Sequence, residues 1–514
     1  MFFFDRVKSL DAIMATAEKK GLHRSLGPFQ LTLLGIGAVI GTGIFVLTSE
    51  AAQKAGPGMI LSFVVAGFVC AVAALCYSEL ASMVPVAGSA YTYTYAVVGE
   101  MMAWMVGWTL ILEYAVGASA VAVGWSNHAV GLLHGLGWEF PVPIRNADAL
   151  MAKVELFFGA TPSAEITKAL QVGGWINVPA VFVTAAATWL LVLGTTKSAR
   201  VNALLVLVKI TALTLFIALT LPVMHAENFT PFAPTGAAGV FGAAASIFFA
   251  YVGFDAVSTA AEETKNPQRN IPIGLIGALG VCTLFYLLAA SGAVGALGAQ
   301  PLMEAGKALS PGSAEMTGRC ALIGTGAAQP LVCSKEALVH VLDTIGYPAL
   351  GRLVGLAAVI ALPSVVLMMM FGQTRVFFTM ARDGLLPNKL ASVHPRYRTP
   401  HVVTIVTGIG ALIAAAVLPV GKLADYSNSG TLFAFLMVAI AVMVLRKTDP
   451  ARRRPFRTPA LYIIAPMAII GCLVLYFSLP LTAILVLPVW GAIGLVVYFF
   501  YSRSRSHVGR GIQL

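Results

Sequence analysis

The chain has 514 residues, 58% of them hydrophobic and 11% charged, and a mean hydropathy of +0.85. That composition excludes a soluble domain of ordinary make-up and leaves a polytopic membrane protein. A formal charge of +11 would suit nucleic acid, but the basic residues sort by membrane side, so no nucleic-acid partner is expected.

Before the first span, Asp5, Arg6, Lys8, Asp11, Glu18, Lys19, Lys20 and Arg24 leave no uninterrupted apolar core. No cleavable signal peptide is expected, and the first span serves as the signal. Phe3, Val7, Leu10 and Met14 recur at helical spacing within the N-terminal segment 1–28. They give either a short amphipathic helix on the inner leaflet or a partly disordered tail. A span needs about 20 apolar residues, and twelve stretches qualify: roughly 29–51, 58–84, 101–133, 178–194, 201–223, 238–261, 273–297, 347–380, 401–420, 423–446, 460–479 and 481–501. With the N-terminus inside, 22 of the 33 Lys and Arg lie in inner segments, 8 in outer loops, and Lys209, Arg352 and Arg375 within spans. This positive-inside pattern predicts a multi-pass protein with both termini, including the tail 502–514, in the cytoplasm.

Span one carries Gly35, Gly37, Gly41 and Gly43. Non-helical backbone at membrane depth survives only where it is buried in protein or lines a cavity. Unwinding around Gly41, Thr42 and Gly43 would free N–H groups at the positive end of the following half-helix, suited to a small anion such as a carboxylate. The bland alternative is close helix packing by small residues. Span five contains Lys209, about 12 Å into a hydrocarbon core of roughly 30 Å. An amine that deep must face protein or water, where it either gains and loses a proton during a transport cycle or braces its neighbours while permanently charged. Span six holds Gly253 and Asp255 near mid-membrane. Unwinding after Phe249 would expose carbonyls that accept from an ammonium group, opposite the N–H groups of span one. Asp255 either contacts substrate or caps the second half-helix.

Cys70, Cys76, Cys282 and Cys472 fall in spans as small packing residues. Cys320 and Cys333 lie in the long outer loop, in an oxidising compartment where a structural disulfide between them is expected. No spacing suggests a metal site, a haem or a phosphate-cradling loop, so no cofactor is expected. An embedded enzyme would need a nucleophile with its base or a metal cluster at depth, and neither pattern is present. A sensor would usually add a soluble domain, yet no outer loop exceeds about 50 residues, too small for most independent domains.

The runs GIGAVIGTGIF (Gly35–Phe45), FFAYVGFDAVSTAAEETKNPQRNIPIG (Phe248–Gly274) and GQTRVFFTMARDGLLP (Gly372–Pro387) resemble the amino acid, polyamine and organocation transporters. The closest likeness is to the bacterial branch of the cationic amino acid transporter family, in order along nearly the whole chain. The resemblance implies an all-α fold of 12 transmembrane helices in a bacterial inner membrane. Spans one to five (29–224) and six to ten (238–446) would be inverted repeats with helices one and six broken, followed by peripheral spans at 460–501. By position, Ile40, Gly41, Thr42 and Gly43 would hold a substrate carboxylate. Phe249, Ala250 and Val252 would offer carbonyls to its α-amino group, with the Phe249 ring as a lid. Glu262 and Glu263 would join Lys265 and Arg269 at an inner gate, or form a solvated helix end. Lys209 would stand where other carriers of this fold hold sodium, reaching carbonyls near Gly37 and Ala38 and the segment around Ser364.

The expected function is proton-coupled amino acid import. A neutral or broad substrate range is favoured over arginine or lysine, with exchange and sensing without flux as alternatives. A cationic substrate would need a carboxylate at the far end of the pocket. Glu100 follows Gly99 at the inner edge and is expected at the interface. Glu113 is deeper and either faces the pocket or pairs with a cation elsewhere. Oligomeric state is not legible in the sequence.

Overall fold

A computed structural model describes residues 6–8, 10, 13, 26–84, 89–159, 162–194, 199–260, 264–304, 306–324, 329–397 and 399–511. Glu262 and Glu263 lie outside the described residues, as do Phe3 and Met14 of the amphipathic stretch.

Long apolar runs must satisfy their backbone within the segment, which makes them helices. In chain order the principal helices are α1 (Pro28–Val39), α2 (Thr42–Phe45), α3 (Leu47–Ala55), α4 (Met59–Met83), α5 (Ser89–Val97), α6 (Glu100–Gly135), α7 (Val178–Leu193) and α8 (Ala199–Thr220). The second half contains α9 (Gly236–Ile247), α10 (Ala256–Thr259), α11 (Pro267–Leu297), α12 (Pro348–Arg382), α13 (His401–Val417), α14 (Val420–Thr448), α15 (Leu461–Phe477) and α16 (Leu481–Val497). Among the described residues, seven helical stretches are long and apolar enough to cross a membrane, and five shorter apolar helices accompany them. Helix ends follow local chemistry. The Asn177 side chain caps α7 by accepting from Ala180 N at 3.0 Å, and Gly194 ends it at φ +75°.

Helix α6 is the axis of the bundle, packed along both α12 and α14. Burial of 78% of its apolar window, against 22% for the stretch Leu481–Arg505, separates centre from periphery. Large apolar side chains such as Phe182, Trp189, Leu207, Ile413 and Ile463 point outward, as the flank of a lipid-embedded bundle requires.

The two ends differ. At one, Arg6 Nη1 meets Glu100 Oε1 at 3.2 Å and donates to Arg503 O at 2.8 Å, while Lys8 Nζ meets Asp383 Oδ1 at 2.8 Å. The described parts of both termini therefore share one end. Glu100, expected at the inner interface, lies at this same end. It is fully buried there, accepting from Tyr95 (3.0 Å), Tyr498 (3.0 Å) and Ser506, because a carboxylate with that many donors no longer needs water. At the opposite end Cys320 and Cys333 are bonded. A small cap there, with its own core of Ala152, Ile166, Ala169 and Ala314, covers the bundle. The cap also departs from an all-α fold: Met303–Glu304 pairs antiparallel with Lys307–Ala308.

Candidate functional site

Neither expected span one nor span six is a continuous helix. Helix α1 stops at Val39; Ile40 is extended, and α2 starts at Thr42 after Gly41. Helix α9 stops at Ile247 and tightens into a 3-10 turn over Phe248–Tyr251, with α10 beginning at Ala256. The breaks touch. A Cβ on Gly43 would lie 2.2 Å from Ala250 Cβ and 2.3 Å from Ala250 Cα. Gly253 adopts φ +109°, and a Cβ there would stand 3.0 Å from the Ala38 carbonyl oxygen. Glycine is needed at both positions, once for approach and once also for backbone conformation.

A broken helix leaves its last carbonyls without partners, and distant side chains take them. Ile40 N closes on Ile36 O at 2.8 Å. Lys209 Nζ, fully buried on α8, donates to Gly37 O at 2.8 Å, its one hydrogen bond to a described residue. Among the described residues no hydrogen bond joins Lys209 to the segment around Ser364; the Ser364 hydroxyl turns back to Ala361 O at 2.6 Å, as serines in helices commonly do. Tyr286 Oη lies 2.9 Å from the carbonyls of both Val39 and Ala250, tying the two breaks with one proton. The Ala250 carbonyl assigned to a substrate amine is thus already engaged, leaving one lone pair. On α9, Asn428 Nδ2 donates to Ala245 O (2.8 Å) and Ser246 O (3.1 Å).

On the other side of the span-one break, the first N–H groups of α2 have no partner within the helix. The Thr42 hydroxyl is buried and unpartnered beside them. Gly124 on α6 makes room for it, since a Cβ there would stand 2.5 Å from Thr42 Cγ2. These donors can hold a small anion. Around them the walls are apolar. A Cβ at Gly41 would be 3.4 Å from Val365, and one at Gly117 would meet Met369 Sδ (3.1 Å), Ser427 Oγ (3.2 Å) and the Phe249 ring (3.6 Å).

Asp255 does not cap α10 with its side chain. Its Oδ2 accepts from Tyr114 Oη at 2.7 Å and from Ser89 Oγ at 3.5 Å, and its Oδ1 has no partner. Glu113, one residue before Tyr114, points toward α14, where Gly430 gives it room. Both its carboxyl oxygens are buried and unpartnered, because the neighbouring Thr431 hydroxyl donates instead to Ser427 O at 3.2 Å. Asp255 and Glu113 thus each keep an unpartnered carboxyl oxygen in the core. They are groups that a cation or a proton would satisfy. Nearby, Tyr77 meets Tyr93, Phe254 and Phe435 edge-on, and Phe254 and Phe435 tilt against each other.

Sequence reasoning did not single out Tyr114, Ser89, Tyr286 or Asn428. The available signal was their polarity within apolar runs, since a buried hydroxyl or amide must find a partner.

A family model described as amino acid permease matches residues 26–502. The branched-chain amino acid permease BcaP of Bacillus subtilis (strain 168) is 42% identical over 98% of this chain and 99% of its own length. A methylthioribose transporter of the same organism is 38% identical over 98% of each chain. The vacuolar cationic amino acid transporter 2 of Arabidopsis thaliana is 33% identical over 87% of this chain and 63% of its own.

Proposed function

Because the chain belongs to the amino acid permease family, and is therefore a multi-pass membrane transporter and not an enzyme, we propose that it imports neutral aliphatic amino acids across a bacterial inner membrane by proton-coupled alternating access. The observation that carries this reading is the pair of touching helix breaks. One side offers N–H groups and the Thr42 hydroxyl to a carboxylate, and the other offers the Phe249–Val252 carbonyls and the open oxygen of Asp255 to an ammonium. Ile40, Gly41 and Gly43 shape the first side, and the second lone pair of Ala250 O remains for the amine. The walls at Val365, Met369 and Phe249 suit a branched apolar side chain, consistent with the name of the Bacillus subtilis permease.

The architecture we favour is twelve spans, with 29–224 and 238–446 as inverted repeats around this site and 460–501 peripheral. Lys209 couples the proton. While charged it holds α1 through Gly37 O; once neutral it donates more weakly and α1 is freer to move. The open carboxyl of Glu113 supports a second reading, a cationic substrate such as arginine.

Proteoliposome uptake of L-leucine and L-arginine under an imposed pH gradient, without sodium, separates the two. Leucine is expected to accumulate as the outside is acidified. Lys209→Ala is expected to fold and bind leucine but lose the pH dependence. Arginine transport alone refutes the substrate assignment. A sodium requirement, or unchanged pH-driven accumulation in the variant, refutes the coupling.

A further inference from the structure

The end of the molecule that carries the disulfide holds a cavity directly above the span-one break. Its floor includes Val46 and Val123. Val46 is one turn beyond Thr42, and both crowd the Cβ position of Gly124, at 3.2 Å and 2.5 Å. One layer of side chains therefore separates this cavity from the central site. Cys320 and Cys333 line it from the cap. Within the cap, the disulfide loop is fastened to the loop that carries Glu155 and Glu165 by Arg319 with Glu165 at 3.4 Å and by Ala314 N donating to Glu155 Oε2 at 3.0 Å. The cavity opens to the outside, and its volume of about 170 Å³ corresponds to on the order of ten water positions. That is room for one small solute.

The polar lining carries both signs of charge. Asp148 and Lys335 face each other as an ion pair at 2.5 Å, with side chains 18% and 50% exposed. Glu50 also lines it, with its carboxyl turned against Gly421, and the Asn127 amide bonds no described residue. A half-exposed ion pair is worth little by itself, so it opens readily for a ligand that replaces both halves. A zwitterion does so: its carboxylate takes Lys335 and Asn127, and its ammonium takes Asp148. A sugar, an anion or a lone cation would leave one partner unpaired.

We propose that this cavity is a second, outer amino acid site, a waiting position from which the zwitterion passes Val46 and Val123 to the central site. The proposal rests on the reading of the protein as an amino acid carrier. Its test is the stoichiometry of L-leucine bound to the full chain in nanodiscs, measured by equilibrium dialysis alongside proteoliposome uptake. Two equivalents are expected. Lys335→Ala and Asp148→Asn, both in the cap and away from the bundle core, should each weaken one equivalent by about tenfold and leave the other unchanged. Gly43→Ala, which obstructs the central site, should spare the equivalent that those variants weaken. Uptake with a single bound equivalent, or two equivalents that neither cap variant moves, overturns the outer site while the transport reading stands. No bound leucine and no uptake overturns both.

Discussion

Gly43→Ala tests the requirement that the two helix breaks touch. The added methyl would lie 2.2 Å from Ala250 Cβ and 2.3 Å from Ala250 Cα. Carbon atoms in contact rest at about 3.5–4.0 Å, so the breaks would have to separate by roughly 1 Å or more. One obstructing atom is backbone, and no rotamer change relieves it. Overpacking of this kind costs about 1–3 kcal/mol, and a displacement of about 1 Å at a binding centre can cost on the order of a hundredfold in rate. Two glycines serve as controls. A Cβ at Gly41 meets Val365 at an ordinary 3.4 Å, so Gly41→Ala should be milder. Gly280, in the middle of α11, has nothing within 4 Å, so Gly280→Ala should fold at least as well as the parent. Thermal stability with and without L-leucine, together with initial uptake rate, reads all three. Wild-type leucine stabilisation and uptake in Gly43→Ala would refute the claim that the site depends on this contact.

Three further outcomes are expected. Tyr114→Phe removes the 2.7 Å bond to Asp255; at about 1.5–3 kcal/mol for a hydrogen bond to a charged group, uptake kcat/KM should fall about ten- to hundredfold, and an unchanged value would exclude Asp255 from the cycle. Glu79→Ala leaves Arg446, which bonds Glu79 at 2.7 and 2.8 Å, and the buried Arg454 without their carboxylate; breaking such a pair costs about 3–5 kcal/mol, so the thermal midpoint should drop sharply, and an undisturbed midpoint would refute it. In the outer cap, the hydrogen bond that the protonated Glu315 carboxyl donates to Glu304, together with partial burial, holds Glu315 above its ordinary value of 4.5. Its stabilisation is complete below that value and disappears as pH rises through the raised one. Amide exchange around 303–317 should therefore quicken as pH rises across that window, after correction for intrinsic rates, and Glu315→Gln should abolish the change.

Apolar run length, the glycines in spans one and six, the burial of Lys209 and the placement of Cys320 and Cys333 were all legible in the sequence. Each is a local property: hydrocarbon demands a helix of a certain length, and glycine marks where the helix stops. The sequence could not say who would serve the broken ends. Lys209 reaches a carbonyl 172 positions away, Asn428 one 183 away and Tyr286 one 247 away. Periodicity along one helix carries no information about which face of another helix it meets. Glu100 makes the same point: Gly99 suggested its place at the inner edge, but not that Arg6 and Ser506, from the two chain termini, close over it. The sequence by itself determined that two spans break and roughly where. Only the tertiary structure decided that the breaks touch and that Asp255 turns to Tyr114 instead of capping its helix, because buried polar groups choose their partners by proximity in space.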